Sequence, residues 1–208
     1  MSVIERTRIP LRGLELDEAF PEAREGTDLQ LPPWVLNWDW IWQLLRLFRW
    51  HRLDFSMQHQ QQTNWCWAAV STSVALFFNP SSGWTQCAVA NGELNRNDCC
   101  GAGASGPCNV YGYLDTALTR VGHLDHKATG TSTFSQIQTE INGGRPLGVR
   151  TAWSGGGAHF LAIIGYRIRN NMLAVDDPFY GKSDVGLSTF TSSYQGSGSW
   201  THSYFTKA

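Results

Sequence analysis

The run CWAAVSTSVALFF, from Cys66 to Phe78, puts apolar or small side chains on nearly every face of a helix. A helix of that kind cannot lie on a surface, so the rest of the chain has to wrap around it. The pattern predicts a buried element starting at or just before Cys66 and stopping near Asn79-Pro80. A chain of 208 residues is long enough for one such core with an appendage.

Two further segments, NVYGYLDTALTRVG and TFSQIQTEING, read as helices, with Gly122 and the pair Gly143-Gly144 as their stops. Beyond them the period falls to two. PLGVRTAW, AHFLAIIGYRI and MLAVDD are strand-like, and VGLSTFTSS and SWTHSYFTK follow the same alternation less strictly. Helices first and strands last predict an α+β fold, a helical layer packed on an antiparallel sheet.

Ahead of this unit the composition divides. Residues 1–33 are charged and punctuated by Pro10, Pro21, Pro32 and Pro33, which suits an extended arm. PPWVLNWDWIWQLLRLFRW then places five of the ten tryptophans within seventeen residues, with Trp34, Trp38, Ile41, Leu45 and Phe48 at helical spacing. Three readings stand for this helix: packing on the main domain, a pro-segment over the active site, or contact with a membrane surface or a partner. We therefore expect an N-terminal extension at 1–54 and a catalytic unit at 55–208.

Sixteen basic residues against seventeen acidic ones leave a net charge of -1, so no broad field draws nucleic acid. No stretch reaches the ~18 uninterrupted apolar residues of a membrane span. MSVIERTRIPLRGLELDEAF has charges among its apolar pairs and does not read as a secretory signal. Its composition leaves secretion and a cytoplasmic site equally open.

The chemistry concentrates in QQQTNWCWAAV. A thiol attacks carbonyls as its thiolate, and a helix start together with a histidine from elsewhere in the fold would favour that form at Cys66. His159, in GGGAHFLAIIGY, is the best partner because it stands at the mouth of a strand after a glycine run. His51, His59, His123, His126 and His202 lack such a setting. Asp176 and Asp177 follow the strand MLAV, and the short turn RIRNN would bring a carboxylate to the far nitrogen of His159. Gln60, with Gln61 and Gln62 as near rivals, offers a side-chain amide that could join the Cys66 N–H in binding an oxyanion. The set requires no cofactor and no metal, and no glycine loop for phosphate is present.

With NWCWAA, AHFLAIIGY and VDDPFYG in this order, the stretch from about Phe55 onward resembles the papain superfamily in its compact bacterial form. It is similar to the bacteriocin-processing-like peptidases, a group that includes secreted effectors of plant-pathogenic bacteria. The resemblance implies a cysteine peptidase acting on peptide or protein substrates, with Cys66 as nucleophile, His159 as general base, Asp177 as orienting acid and Gln60 as oxyanion donor. Asp177 is preferred to Asp176 because in that group the orienting residue precedes a proline. Papain itself uses an asparagine here, and its larger sheet domain has no counterpart in this length. An amidase, deamidase or transglutaminase would use the same residues on another acyl group, and a binding module would keep the fold without the activity.

Five cysteines are an odd number. Beside a free Cys66, the four residues Cys87, Cys99, Cys100 and Cys108 have the arithmetic of two disulfides in any of three pairings, with Cys99-Cys100 the poorest. A zinc site, for which tandem cysteines are badly spaced, and reduced thiols are the alternatives.

Overall fold

In the computed structural model, residues 38–208 are described; the arm expected over residues 1–33, and Trp34 of the Trp-rich segment, lie outside them. Helix α1 spans Trp38–Phe48 and strand β1 Trp50–Arg52. A set of helices follows: α2 at Cys66–Phe78, α3 at Gln86–Glu93, α4 at Cys99–Ala102 and α5 at Leu114–Arg120. Strand β2 (Leu124–Thr129) and helix α6 (Phe134–Asn142) lead into β3 (Leu147–Trp153), β4 (Ala158–Arg167), β5 (Met172–Asp177) and β6 (Gly181–Gly186). Helix α7 (Leu187–Ser193) and β7 (Gly198–Thr206) complete the chain.

All strand pairs are antiparallel, and the seven-stranded sheet runs β2-β7-β3-β4-β5-β6, with β1 pairing with the far end of β4. The α+β expectation holds, with one elaboration. Along β4, Phe160, Ala162 and Ile164 join a core shared with α2, α3 and α5, whereas Leu161 and Ile163 join a second core with Ile137 and Ile141 of α6 and Phe190 of α7. A strand that is apolar on both alternating sets needs cover on both faces. The sheet is thus a middle layer, and α6 packs opposite α2 instead of beside it.

Helix α2 is the element that the sequence defines best: every residue from Cys66 to Ala75 is buried. Each valine so placed, Val70 and Val74, contributes about 1.5–3 kcal/mol relative to exposure. The stops expected at glycine are observed where the backbone turns left-handed, at Gly122 (φ 89°) after α5 and at Gly144 (φ 74°) after α6. Helix α6 starts with a reciprocal capping box, Thr133 bonding the Gln136 backbone and Gln136 bonding the Thr133 backbone.

Two expectations need correction. VGLSTFTSS is not a strand but the end of β6 followed by α7, because Phe190 buries against Tyr194 and Trp200 while Thr191 and Ser192 turn their hydroxyls back to Leu187 and Ser188 carbonyls. The helix expected across NVYGYLDTALTRVG begins only at Leu114, because the carbonyls of Asn109 and Val110 are held by side chains from the α2 segment. The cysteines pair as Cys87–Cys100 and Cys99–Cys108, and Cys66 is free. No helix among the described residues is long and apolar enough to cross a membrane. The exposed large side chains of α1 include Trp40, Trp42 and Leu45.

Leu161, fully buried in the second core, anchors the strand that carries His159. Leu161→Ala is expected to lower unfolding free energy by about 2–5 kcal/mol, read as a shifted urea midpoint with unchanged slope.

Candidate active site

Cys66 is the first residue of α2, and Trp65 before it supplies no side-chain cap. No acidic residue stands in the first turn. The N–H groups opening the helix therefore face the sulfur's surroundings as donors for an anion. Cys66 is buried at 4% exposure.

The turn in front of it is held from three directions. Asn64 N donates to Asn109 Oδ1 (2.9 Å), Asn64 Nδ2 to Asn109 O (2.8 Å), and Asn109 Nδ2 to Thr63 Oγ1 (2.8 Å). Trp65 Nε1 donates to Cys108 O (2.8 Å) and Trp67 Nε1 to Val110 O (3.2 Å), so both indoles grip the strip that follows the Cys99–Cys108 disulfide. Gln86, itself buried, accepts from Gln61 N (2.9 Å) and donates to His59 O (2.9 Å). A thiol set at this helix start cannot drift without breaking several of these bonds.

His159 is the second residue of β4, with Nε2 2.8 Å from Asp177 Oδ1. That leaves Nδ1 as the nitrogen free for a proton exchanged with a sulfur. The ring stacks 6.1 Å from Trp153 and meets the edge of Tyr180 at 6.1 Å. Strand geometry explains which aspartate it meets. Ala162 pairs with Asp176, so Asp177 lies across from Leu161 on the other face and diagonal to His159. Asp176 points to the α2 side, where its Oδ2 accepts from Met57 N at 3.0 Å, with Lys182 Nζ at 3.8 Å.

Asp177 is saturated with donors. Besides His159, Oδ1 accepts from Phe179 N (2.7 Å) and Tyr180 N (2.9 Å), and Oδ2 accepts from Tyr194 Oη (2.8 Å). Burial alone would raise its pKa, but the His159 bond and charge and the two backbone donors outweigh it and hold the carboxyl below its ordinary value. For His159, burial works downward and is overcome by the Asp177 bond and by Cys66, leaving the imidazole pushed up to about 9. Cys66 is close enough to the ring to contribute to that upward shift. Burial, and after it the neighbouring Asp177, raises Tyr194 so far that it remains a neutral donor.

Gln60 stands in the turn ahead of Cys66 and is 7% exposed. Its Nε2 donates to Gln62 O (3.0 Å) and Thr63 O (2.8 Å), its N–H to Pro178 O (2.9 Å), and its Oε1 is buried without a partner. Gln61 is exposed, and Gln62 is half-buried. His159 and Asp177 are in direct contact, Cys66 is near enough to the imidazole to act on it, and Gln60 stands in the turn ahead of Cys66, bonded to Pro178 O. Tyr194, Trp153 and Tyr180 were not foreseeable. Tyr194 reaches Asp177 only because α7 and the turn into β7 fold back over the strand ends, and no local motif announces that.

The family described as papain-like cysteine protease AvrRpt2 matches residues 49–195, a span that holds all four of these positions. No curated protein matches the chain. Among solved structures, the Pseudomonas avirulence protein AvrPphB is similar at 11% identity over 74% of this chain and 98% of its own, with a TM-score of 0.38.

The shifts fix a pH dependence. His159 is raised from 6.5 to about 9, so its contribution to stability is complete below pH 6.5 and disappears as pH rises through about 9. Asp177 is lowered from 3.8, so its contribution is present above that value and is lost as pH falls below it. NMR titration of the His159 ring should give a midpoint near 9, and Asp177→Asn should move that midpoint downward.

Proposed function

We propose, because this chain belongs to the family of papain-like cysteine proteases described by AvrRpt2, that it hydrolyses peptide bonds through a Cys66-His159-Asp177 triad. The observation that carries the reading is the 2.8 Å contact between His159 and a fully buried Asp177 beside the one unpaired cysteine. A protein or peptide is the substrate class.

In this reading an imidazolium at His159 stands against a thiolate at Cys66, each favouring the charge of the other. The sulfur adds to the scissile carbonyl carbon, and the C=O electron pair moves onto oxygen. Donors at the start of α2 meet that oxyanion, with Gln60 Nε2 as the second donor once it releases one of its two carbonyl acceptors. The C–N bond then breaks as His159 passes its proton to the departing amine, leaving a thioester on Cys66. Water, deprotonated by His159, attacks the thioester, and the carboxylate product leaves with the thiolate restored. Throughout, Asp177 holds the tautomer and orientation of the imidazole, and Tyr194 together with the Phe179 and Tyr180 amides holds Asp177.

Residues 1–54 are assigned a regulatory part in the same scheme: the Trp-rich segment, which shows exposed indoles in α1, is a removable or displaceable cover. A chain starting at Arg49 retains β1 and its pairing with β4, and is expected to cut a small peptide faster than the full chain. Equal rates with folding intact would assign the segment another role.

Two measurements test the triad. Iodoacetamide should label Cys66 at near-stoichiometric dose and abolish cleavage, and Cys66→Ala should abolish cleavage outright. New amino termini in a digested peptide library identify a peptidase, whereas ammonia release without chain scission would identify an amidase or deamidase and overturn the reading. Gln60→Ala should lower kcat by about 10²-fold with little change in KM, as expected for a donor used in the transition state.

A further inference from the structure

A pocket of about 450 Å³ opens on the α2 side of the sheet, its lining including the two residues that flank His159 in β4. Ala158 and Phe160, the neighbours of His159 on β4, form one wall. Gly112 forms the other, lying so close on the indole of Trp67, the residue after Cys66, that a methyl group there would come within 2.4 Å of the ring. With Gly157 also on the rim, both edges present bare backbone. An extended peptide crossing Cys66 between these edges would drop one side chain into the pocket.

The charge inside is one-sided. Arg150 of β3 and Lys127 of β2 line the pocket, and no acidic side chain does. Lys127 is paired with Asp115 at 3.0 Å, and Asp115, though not itself on the lining, also acts on His202 and Tyr204. Arg150 Nη1 donates to the Thr201 hydroxyl at 2.8 Å, and among the described residues no carboxylate pairs with its guanidinium. His202, also lining the pocket, is held below its ordinary value by burial and then by Arg150 and Lys127, with Asp115 acting the other way, so its neutral form is favoured. A guanidinium fork without an acidic partner, inside a partly enclosed site, is matched in shape and charge by a carboxylate.

We propose that this pocket selects substrates with a glutamate or aspartate side chain within two residues of the cleaved bond, anchored by Arg150 and assisted by Lys127. The selection rests on the reading of Cys66 as the peptidase nucleophile. It makes acidic segments of target proteins the preferred cleavage regions.

The test is a peptide library in which glutamate, glutamine and lysine alternate at each of two positions on both sides of the cut, with products sequenced by mass spectrometry. Iodoacetamide labelling of wild-type Cys66, which needs no pocket, is read in parallel. Glutamate should exceed glutamine by about tenfold at one of the four positions, and Arg150→Glu should turn that position toward lysine. Lys127→Glu, at an exposed site, should reduce the glutamate advantage and serves if the Arg150 variant does not fold. Labelling and cleavage without acidic enrichment in the wild type would overturn the pocket assignment alone. Absence of both labelling and cleavage would overturn the peptidase reading, and this inference with it.

Discussion

The arrangement around Cys66 depends on one desolvated carboxylate. Asp177 is buried at the end of β5, and a charge so placed is tolerated only with its lone pairs occupied. Four donors come from three parts of the chain: the His159 ring from β4, the Phe179 and Tyr180 amides from the turn into β6, and Tyr194 from the turn before β7. Each has a structural reason to be there that is also a chemical one. The same contacts that make an internal anion affordable orient the imidazole and keep it positive. In the proposed mechanism fold stability and reactivity are therefore set by the same bonds at this point, and loss of any donor would weaken both.

On the other side of the cleft the device is different. The sulfur is located by a helix start, and that start is fixed by two indoles and two asparagine side chains gripping the strip from Cys108 to Val110. Trp65 and Trp67 are fully buried for this reason, their N–H groups satisfied by main-chain carbonyls while the rings fill the core. Cys66 sits between two anchored residues. Its freedom is that of α2 as a whole, which is packed on nearly all sides.

Much of this was legible in the residues because it follows from periodicity. The uniform apolarity of α2, the alternation in β3, β4 and β5, and the closing glycines of α5 and α6 depend on spacings within a dozen positions. The choice between Asp176 and Asp177 is also a matter of alternation once the β4–β5 register is known: 162 opposite 176 puts 177 on the His159 face. What was not legible depends on distant partners. Helix α7 carries a strand-like alternation of polar and β-branched residues, while the burial of one side chain, Phe190, decides its form. The late start of α5 reflects hydrogen bonds made to residues more than forty positions earlier. Neither Tyr194 nor the Arg150 pocket has a local signature, since both are assembled by strands that meet only in the folded sheet.

The two cystine bridges differ in how far solvent reaches them. Cys99 and Cys108 are sealed from solvent, whereas Cys100 of the other bridge is at the surface, so a mild reductant meets the Cys87–Cys100 link first. The inner link ties down the strip that seats both indoles. Breaking that inner link would release the strip against which the start of α2 is held.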